Sequence, residues 1–315
     1  YMAKADQQEL EGFVEQLNGL PLYIKWFVRS VAKGLDPMTV LANTEDLAEF
    51  CVAQLFGRLS PQAASATWAL FALNKPVYPP TLLSCLDVDA DESRRALIEL
   101  TQHMFITQSA DGISTQPRIQ LSPLVRAYQT QLDTRGESDR SVMAKAREVE
   151  AGIQSEISRN QQDQSRGLIG PKVIRGGVQH NAARALLRQA LHESRRDPEE
   201  ALETIKQAEK IDISFWEVYR VRGYLLASQG QEEGVVQAYE RALELAPEAD
   251  KPYVKHYYSG FLSRTNSEEQ QALGLRLAEE AVAAIDHPGF LFQYAIACQR
   301  NRKLDDSIQA CKTVL

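Results

Sequence analysis

Apolar residues recur at helical spacing almost from the start of the chain. Leu10, Phe13, Val14 and Leu17 fall at i, i+3, i+4 and i+7, which puts one apolar stripe on a helix. Gly19 ends that helix, and Pro21 lies where a first helical turn tolerates a missing N–H. Leu22, Tyr23, Ile24, Trp26, Phe27, Val28 and Val31 then follow, apolar nearly all round, which predicts a buried helix. With a short turn at 37–41 and a helix at 45–57, residues 1–58 read as a small, purely helical subdomain.

From Ser60, a plausible N-cap, the pattern changes. Helices are predicted at 61–73, 81–86 and 91–103, then short strands at 104–108 and 113–121 flanking the hairpin signal Asp111-Gly112. Pro123 opens a closing helix. Three helices, a hairpin wing and a final helix predict a winged-helix domain over 59–130. Residues 131–181 are less regular: a helix at 138–159, then 161–165 and the glycine-rich 167–177 as loop or linker.

Beyond 182 the sequence repeats. Ala201, Ile205 and Ala208 recur 34 residues later as Val235, Tyr239 and Ala242, with Pro247 beyond, matching the period and the small–aromatic–small–proline signature of tetratricopeptide (TPR) units. Gly223 stands where such a unit needs a close approach of its two helices. The units are 182–215, 216–249, 250–287 and a partial 288–315. The predicted fold class is therefore mainly α: a helical subdomain and winged helix with a small β-hairpin, followed by a TPR α-solenoid.

Composition narrows the functions available. The 315 residues carry a net charge of −7 and 44% hydrophobic residues, ample for packed cores. No stretch is basic enough to follow a nucleic-acid backbone by charge alone, and none approaches the length of a membrane span. The four cysteines form no CxxC pair, which fits a reducing cytoplasm. Tyr1 ahead of Met2, and a last repeat with no polar cap, predict a piece excised from a longer protein.

The run LNGLPLYIKWFVRSVAKG, followed by the predicted winged helix, resembles STAND-class signalling ATPases, the group that includes the NB-ARC proteins of plant immunity and animal apoptosis. On the residues alone, the Gly-Leu-Pro-Leu turn also suits an ordinary helix–turn–helix corner. The resemblance implies that Pro21 rests against an adenine nucleotide held by an upstream nucleotide-binding domain and that Gly19 makes the turn. In that family a histidine opening the last winged-helix helix reaches the diphosphate. Ser122 stands there in Leu121-Ser122-Pro123-Leu124-Val125, so the contact is altered: a hydroxyl can donate a hydrogen bond but cannot become an imidazolium. ATP or ADP is thus implied for the parent protein and no cofactor for this chain alone. The resemblance further implies a protein or peptide trigger bound by the repeats, homo-oligomerisation on activation, and a role in bacterial anti-phage defence or signalling.

Other chemistry is thin. Gly167 to Lys172 fails as a phosphate loop, because Gly-x4-Gly-Lys-[Ser/Thr] is required, so the chain itself is not expected to be an enzyme. Asp87, Asp89 and Asp91 lack the glycine of a calcium loop, and the five histidines show no metal spacing. No catalytic residue or metal site is nominated. Arg94 and Arg95 lie on the would-be recognition helix among Asp89, Asp91, Glu92 and Glu99, which disfavours DNA. Cys298 and Cys311 fall at inward positions of one repeat. The partner-binding candidates are Tyr219, Arg222, Tyr253, His256, Tyr257 and Tyr294, which would give a groove rigid contact area with polar tips. Two other readings remain open: a winged-helix transcription regulator with a ligand-sensing repeat domain, and a TPR scaffold.

Overall fold

The computed structural model describes residues 7–17, 24, 27–28, 31–32, 36–42, 52–53, 55–86, 88, 90–110, 116–131, 136–165 and 169–314. Gly19, Pro21 and the Asp111-Gly112 turn lie outside them, as does most of the helix expected at 45–57. The chain is mainly helical, with one two-stranded sheet among the described residues. It divides into two compact units, Tyr1–Glu148 and Val149–Leu315.

In the first unit, α1 (Gln7–Gln16) and the short α2 (Pro37–Ala42) contribute to a small core of Phe13, Leu17, Phe27, Val31, Val40 and Leu41. The Phe13 and Phe27 rings meet at 5.1 Å. Among the described residues of the second apolar run, burial is not all round as expected. Ile24, Phe27 and Val31 face this core while Val28 is 38% exposed, because each helical step turns the side chain by about 100° and takes position 28 off the stripe of 24, 27 and 31.

The rest of the unit follows in the order α3 (Pro61–Leu73), α4 (Pro79–Cys85), α5 (Ala90–Gln102), β1 (Ile106–Ser109), β2 (Arg118–Leu121) and α6 (Pro123–Gln131). The Ser60 hydroxyl accepts the Ala63 N–H at 3.2 Å, capping α3. The same residue donates its hydroxyl and its N–H to the two carboxylate oxygens of Glu99 at 2.6 and 2.9 Å, tying the start of α3 to α5. The strands pair antiparallel with Ile106 opposite Leu121, and Ile119 and Leu121 turn inward. Val77 exchanges both main-chain hydrogen bonds with Ile119, at 2.9 and 2.7 Å, adding a one-residue strand beside β2. Pro76, Pro79 and Pro80 around it read as a break in the sequence and hid this pairing.

Helix α7 (Glu137–Ser165) runs straight through 161–165, which had the look of a loop. Glutamine is a good helix former, and no glycine or proline intervenes before Gly167. The second unit continues with four helical pairs: α8 (Asn181–Glu193) on α9 (Pro198–Ile211), α10 (Trp216–Ser228) on α11 (Glu232–Leu245), α12 (Lys251–Leu262) on α13 (Glu268–Ala284), and α14 (Pro288–Arg300) on α15 (Leu304–Val314). The first helices of successive pairs also touch, α8 with α10, α10 with α12 and α12 with α14. Proline in the first turn and a capping side chain start several of them. The Asp197 carboxylate takes the N–H groups of Glu199 and Glu200, and Ser267 takes that of Gln270.

The periodic residues form the core. Ala201, Ile205 and Ala208, and their counterparts Val235, Tyr239 and Ala242, are all buried. Tyr239 stacks on Tyr258 of the next pair at 5.1 Å. Gly223 leaves room for it, since an added Cβ would lie 3.0 Å from Tyr239 Cε2. Cys311 departs from its expected inward place: it is exposed, while Ser307, Ala310 and Val314 make the inner stripe of α15. Gly223→Val should therefore lower stability by about 1–3 kcal/mol through overpacking against Tyr239. Urea unfolding of the variant and the parent chain measures it.

Candidate functional site

Residues 169–177 have no regular secondary structure, yet they are firmly engaged within the second unit. Ile174 is 1% exposed and belongs to the core formed with Leu187, Phe215 and Val218. The stretch lies against side chains of α8, α10 and α12, and the contacts follow its main chain residue by residue.

Tyr257 on α12 grips the Gly170 peptide groups twice, accepting from the N–H at 3.2 Å and donating to the carbonyl at 2.8 Å. Arg220 on α10 donates to the carbonyls of Pro171 at 3.0 Å and Val173 at 3.1 Å. Glu217, one turn before Arg220, accepts the Arg175 N–H at 2.7 Å. Arg188 and Arg184 on α8 reach the carbonyls of Lys172 and Gly176 at 3.4 and 3.5 Å. The carbonyls of 171 and 173 and the amide of 175 are thus met at two-residue intervals, across a turn closed by the Val173 N–H on the Gly170 carbonyl at 2.9 Å and the irregular stretch that follows it.

The charged pair beneath this edge is fully buried. Glu217 and Arg220 are both 0% exposed and bond to each other through Oε2 and Nε. Burial raises the Glu217 carboxyl above the usual carboxylate range, against the pull of Arg220 and the Arg175 N–H. Arg220 also lies over the Tyr257 ring, 4.7 Å from its centroid. Beyond the pair, the Arg175 guanidinium stacks on Tyr253 at 3.5 Å. It acts on Asp250, whose carboxyl is pushed up by burial and pulled back by Arg175. Gly176 follows with φ +121°, and the Phe215 ring is so near that an added Cβ would meet Cε2 at 2.8 Å. Phe215 in turn stacks on His180 at 4.2 Å, and His180 Nδ1 is 2.6 Å from Asp212 Oδ2. Glu156 on α7 anchors the neighbouring helix through Arg188 at 2.7 and 2.8 Å.

Of the residues singled out from the sequence, Tyr253 and Tyr257 take part in this arrangement. His256 sits beside them, against Phe290 at 4.6 Å and Tyr257 at 5.0 Å. Tyr294 pairs with Cys298 on the last helical pair. Tyr219 and Arg222 point elsewhere: the Tyr219 hydroxyl bonds the Ile213 carbonyl and its ring lies under Arg241 of α11, while Arg222 faces Glu209 of α9. In the first unit the half-buried Ser122 caps α6, accepting the Val125 N–H at 3.5 Å, and its own N–H goes to the Phe105 carbonyl. Sequence reasoning missed Glu217, Arg220 and the segment itself. The signal available was a Glu and an Arg at i, i+3 among Trp216, Val218, Tyr219, Val221, Leu225 and Leu226, in a helix where charges are rare unless paired.

No group of His, Cys, Asp and Glu among the described residues could hold a metal ion, and no described helix is long and apolar enough to cross a membrane. Comparison with known protein families, with characterised proteins and with solved structures finds no match.

Two outcomes are expected. Arg220→Met leaves Glu217 buried without its cation and frees two carbonyls, which should cost about 3–5 kcal/mol in urea unfolding. His256 is held neutral, its pKa lowered to about 4 by burial and by His287. The unfolded chain takes up a proton below the ordinary value of 6.5 that the folded chain refuses until about 4. Stability should fall as pH drops through that window, and the fall should be shallower for His256→Gln in melting curves across the same pH range.

Proposed function

We propose that the chain is the regulatory, non-catalytic part of a STAND-type nucleotide switch, in which a TPR-like array binds a protein or peptide trigger. The observation that carries the protein-binding half is the clamp of Tyr257, Arg220 and Glu217 on the main chain of 170–175. A surface that already satisfies the main-chain polar groups of one segment is chemically suited to another. The stacked helical pairs and the buried 34-residue periodicity support the TPR reading.

The switch half rests on order. The helix, single-residue strand, two helices, hairpin and helix between Pro61 and Gln131 run in the order of a winged helix, and the sequence Gly19-Leu20-Pro21-Leu22 precedes it. In this reading Gly19 and Pro21 contact adenine nucleotide bound by an upstream domain. Ser122 spends its acceptor on α6 and keeps one hydroxyl proton for a phosphate. The repeats transmit trigger binding to ATP-dependent oligomerisation in the cytoplasm, in antiviral defence or a related signal. Asp91 lies 3.6 Å from the exposed Arg94, so a DNA phosphate would compete with a carboxylate there, and DNA binding through α5 is not proposed.

The 315-residue chain should release no phosphate from ATP above blank. The native gene should encode a Gly-x4-Gly-Lys-[Ser/Thr] loop within about 200–300 residues upstream of Tyr1. Phosphate release by the chain, or an upstream sequence without such a loop, would sink the switch reading.

A further inference from the structure

Residues 169–176 are held largely by atoms that every peptide possesses. Tyr257, Arg220 and Glu217 bond the amide and carbonyl of 170, the carbonyls of 171 and 173 and the amide of 175. Such bonds would form equally with another chain in the same conformation, a turn at the positions of 170–173 followed by a stretch without regular secondary structure.

Side-chain selection, by contrast, is concentrated in three consecutive residues. Gly170 meets nothing within 4 Å of an added Cβ, and the Lys172 side chain is exposed, so neither position is read. Ile174 enters the core. Arg175 lies between the Tyr253 ring and the charge of Asp250. Gly176 adopts a left-handed φ beneath Phe215, where a side chain has neither the conformation nor the space.

We infer that the face of α10 and α12 is a peptide-binding groove occupied in cis by 169–176, and that it admits partners presenting a short turn followed by aliphatic–Arg–Gly. This rests on the protein-binding reading of the same face and names the chemistry of the partner. Apart from one turn bond, Val173 N–H to the Gly170 carbonyl, the segment has no secondary structure of its own to lose on leaving. It competes as a tethered ligand at an effective concentration of roughly millimolar, so a free peptide meets an occupied site in the resting chain.

The test uses the full chain and a labelled peptide with the sequence of residues 168–177. Hydrogen exchange should show the Arg175 N–H opening at least ten times faster than the slowest amides of α10 and α11. The variant Ile174→Ala/Arg175→Ala weakens the cis segment without touching the groove. It should bind the peptide at least tenfold more tightly than the parent chain, and peptides carrying Arg175→Ala or Gly176→Val should lose at least tenfold on it.

Exchange of Arg175 only through global unfolding would overturn the inference. So would a weakened variant that stays helical yet binds all three peptides alike or not at all, and so would one that unfolds outright, since the segment would then be permanent core. These outcomes are separable from failure of the switch reading, which turns on the upstream phosphate loop and on ATP hydrolysis alone.

Discussion

A guanidinium cannot sit in a protein interior unless its donors find acceptors, and the cost of leaving them unmet is several kcal/mol. Arg220 is in that position, on a helix whose surroundings are almost entirely apolar. Helix α10 supplies one acceptor itself, Glu217, a turn away. The others come from chain more than forty residues earlier, the carbonyls of Pro171 and Val173. Burying the arginine therefore fixes the linker, and the linker's own amide at 175 completes the solvation of the carboxylate. Ion pair and segment form one unit, in which each component is tolerable in the interior only because the other is present.

This reciprocity explains which parts of the architecture were legible in the sequence. The helical pairs were readable because their signals are local and redundant: a 34-residue period, prolines at helix starts, small residues at contacts, a glycine opposite a tyrosine. The helix at 61–73 was equally plain from Ser60 and its alternating apolar and small residues. The segment 169–177 was not readable, because glycine and proline describe local flexibility, whereas its order comes from partners on helices that the sequence places far away. Its partners were hidden for a related reason. Tyrosines stand out as binding residues, so Tyr219 was favoured over Glu217 and Arg220, although the face a helix turns toward its neighbours decides such roles more than residue type does.

In the first unit the same lesson appears in smaller form. Val77, boxed in by prolines, carries both of its hydrogen bonds to Ile119 and thereby fixes the loop between α3 and α4 against the hairpin. Ser60 and Glu99, distant in sequence, join α3 and α5 through two short bonds around one carboxylate. Ser122, singled out for a phosphate contact, already has a structural role at the start of α6. Any nucleotide role is added to that capping role and must be compatible with it.

The conformation of Gly176 bears on how this chain can change over generations. Residues 170 and 172 present little but main chain to the protein, so the amino acids at these positions are free to drift. At 176 a positive φ and the Phe215 ring leave one amino acid acceptable, and at 174 the core demands an aliphatic of similar volume. Within a single linker, then, neighbouring codons experience opposite selection. The stretch that composition marks as the least constrained part of the second unit contains one of its least replaceable positions.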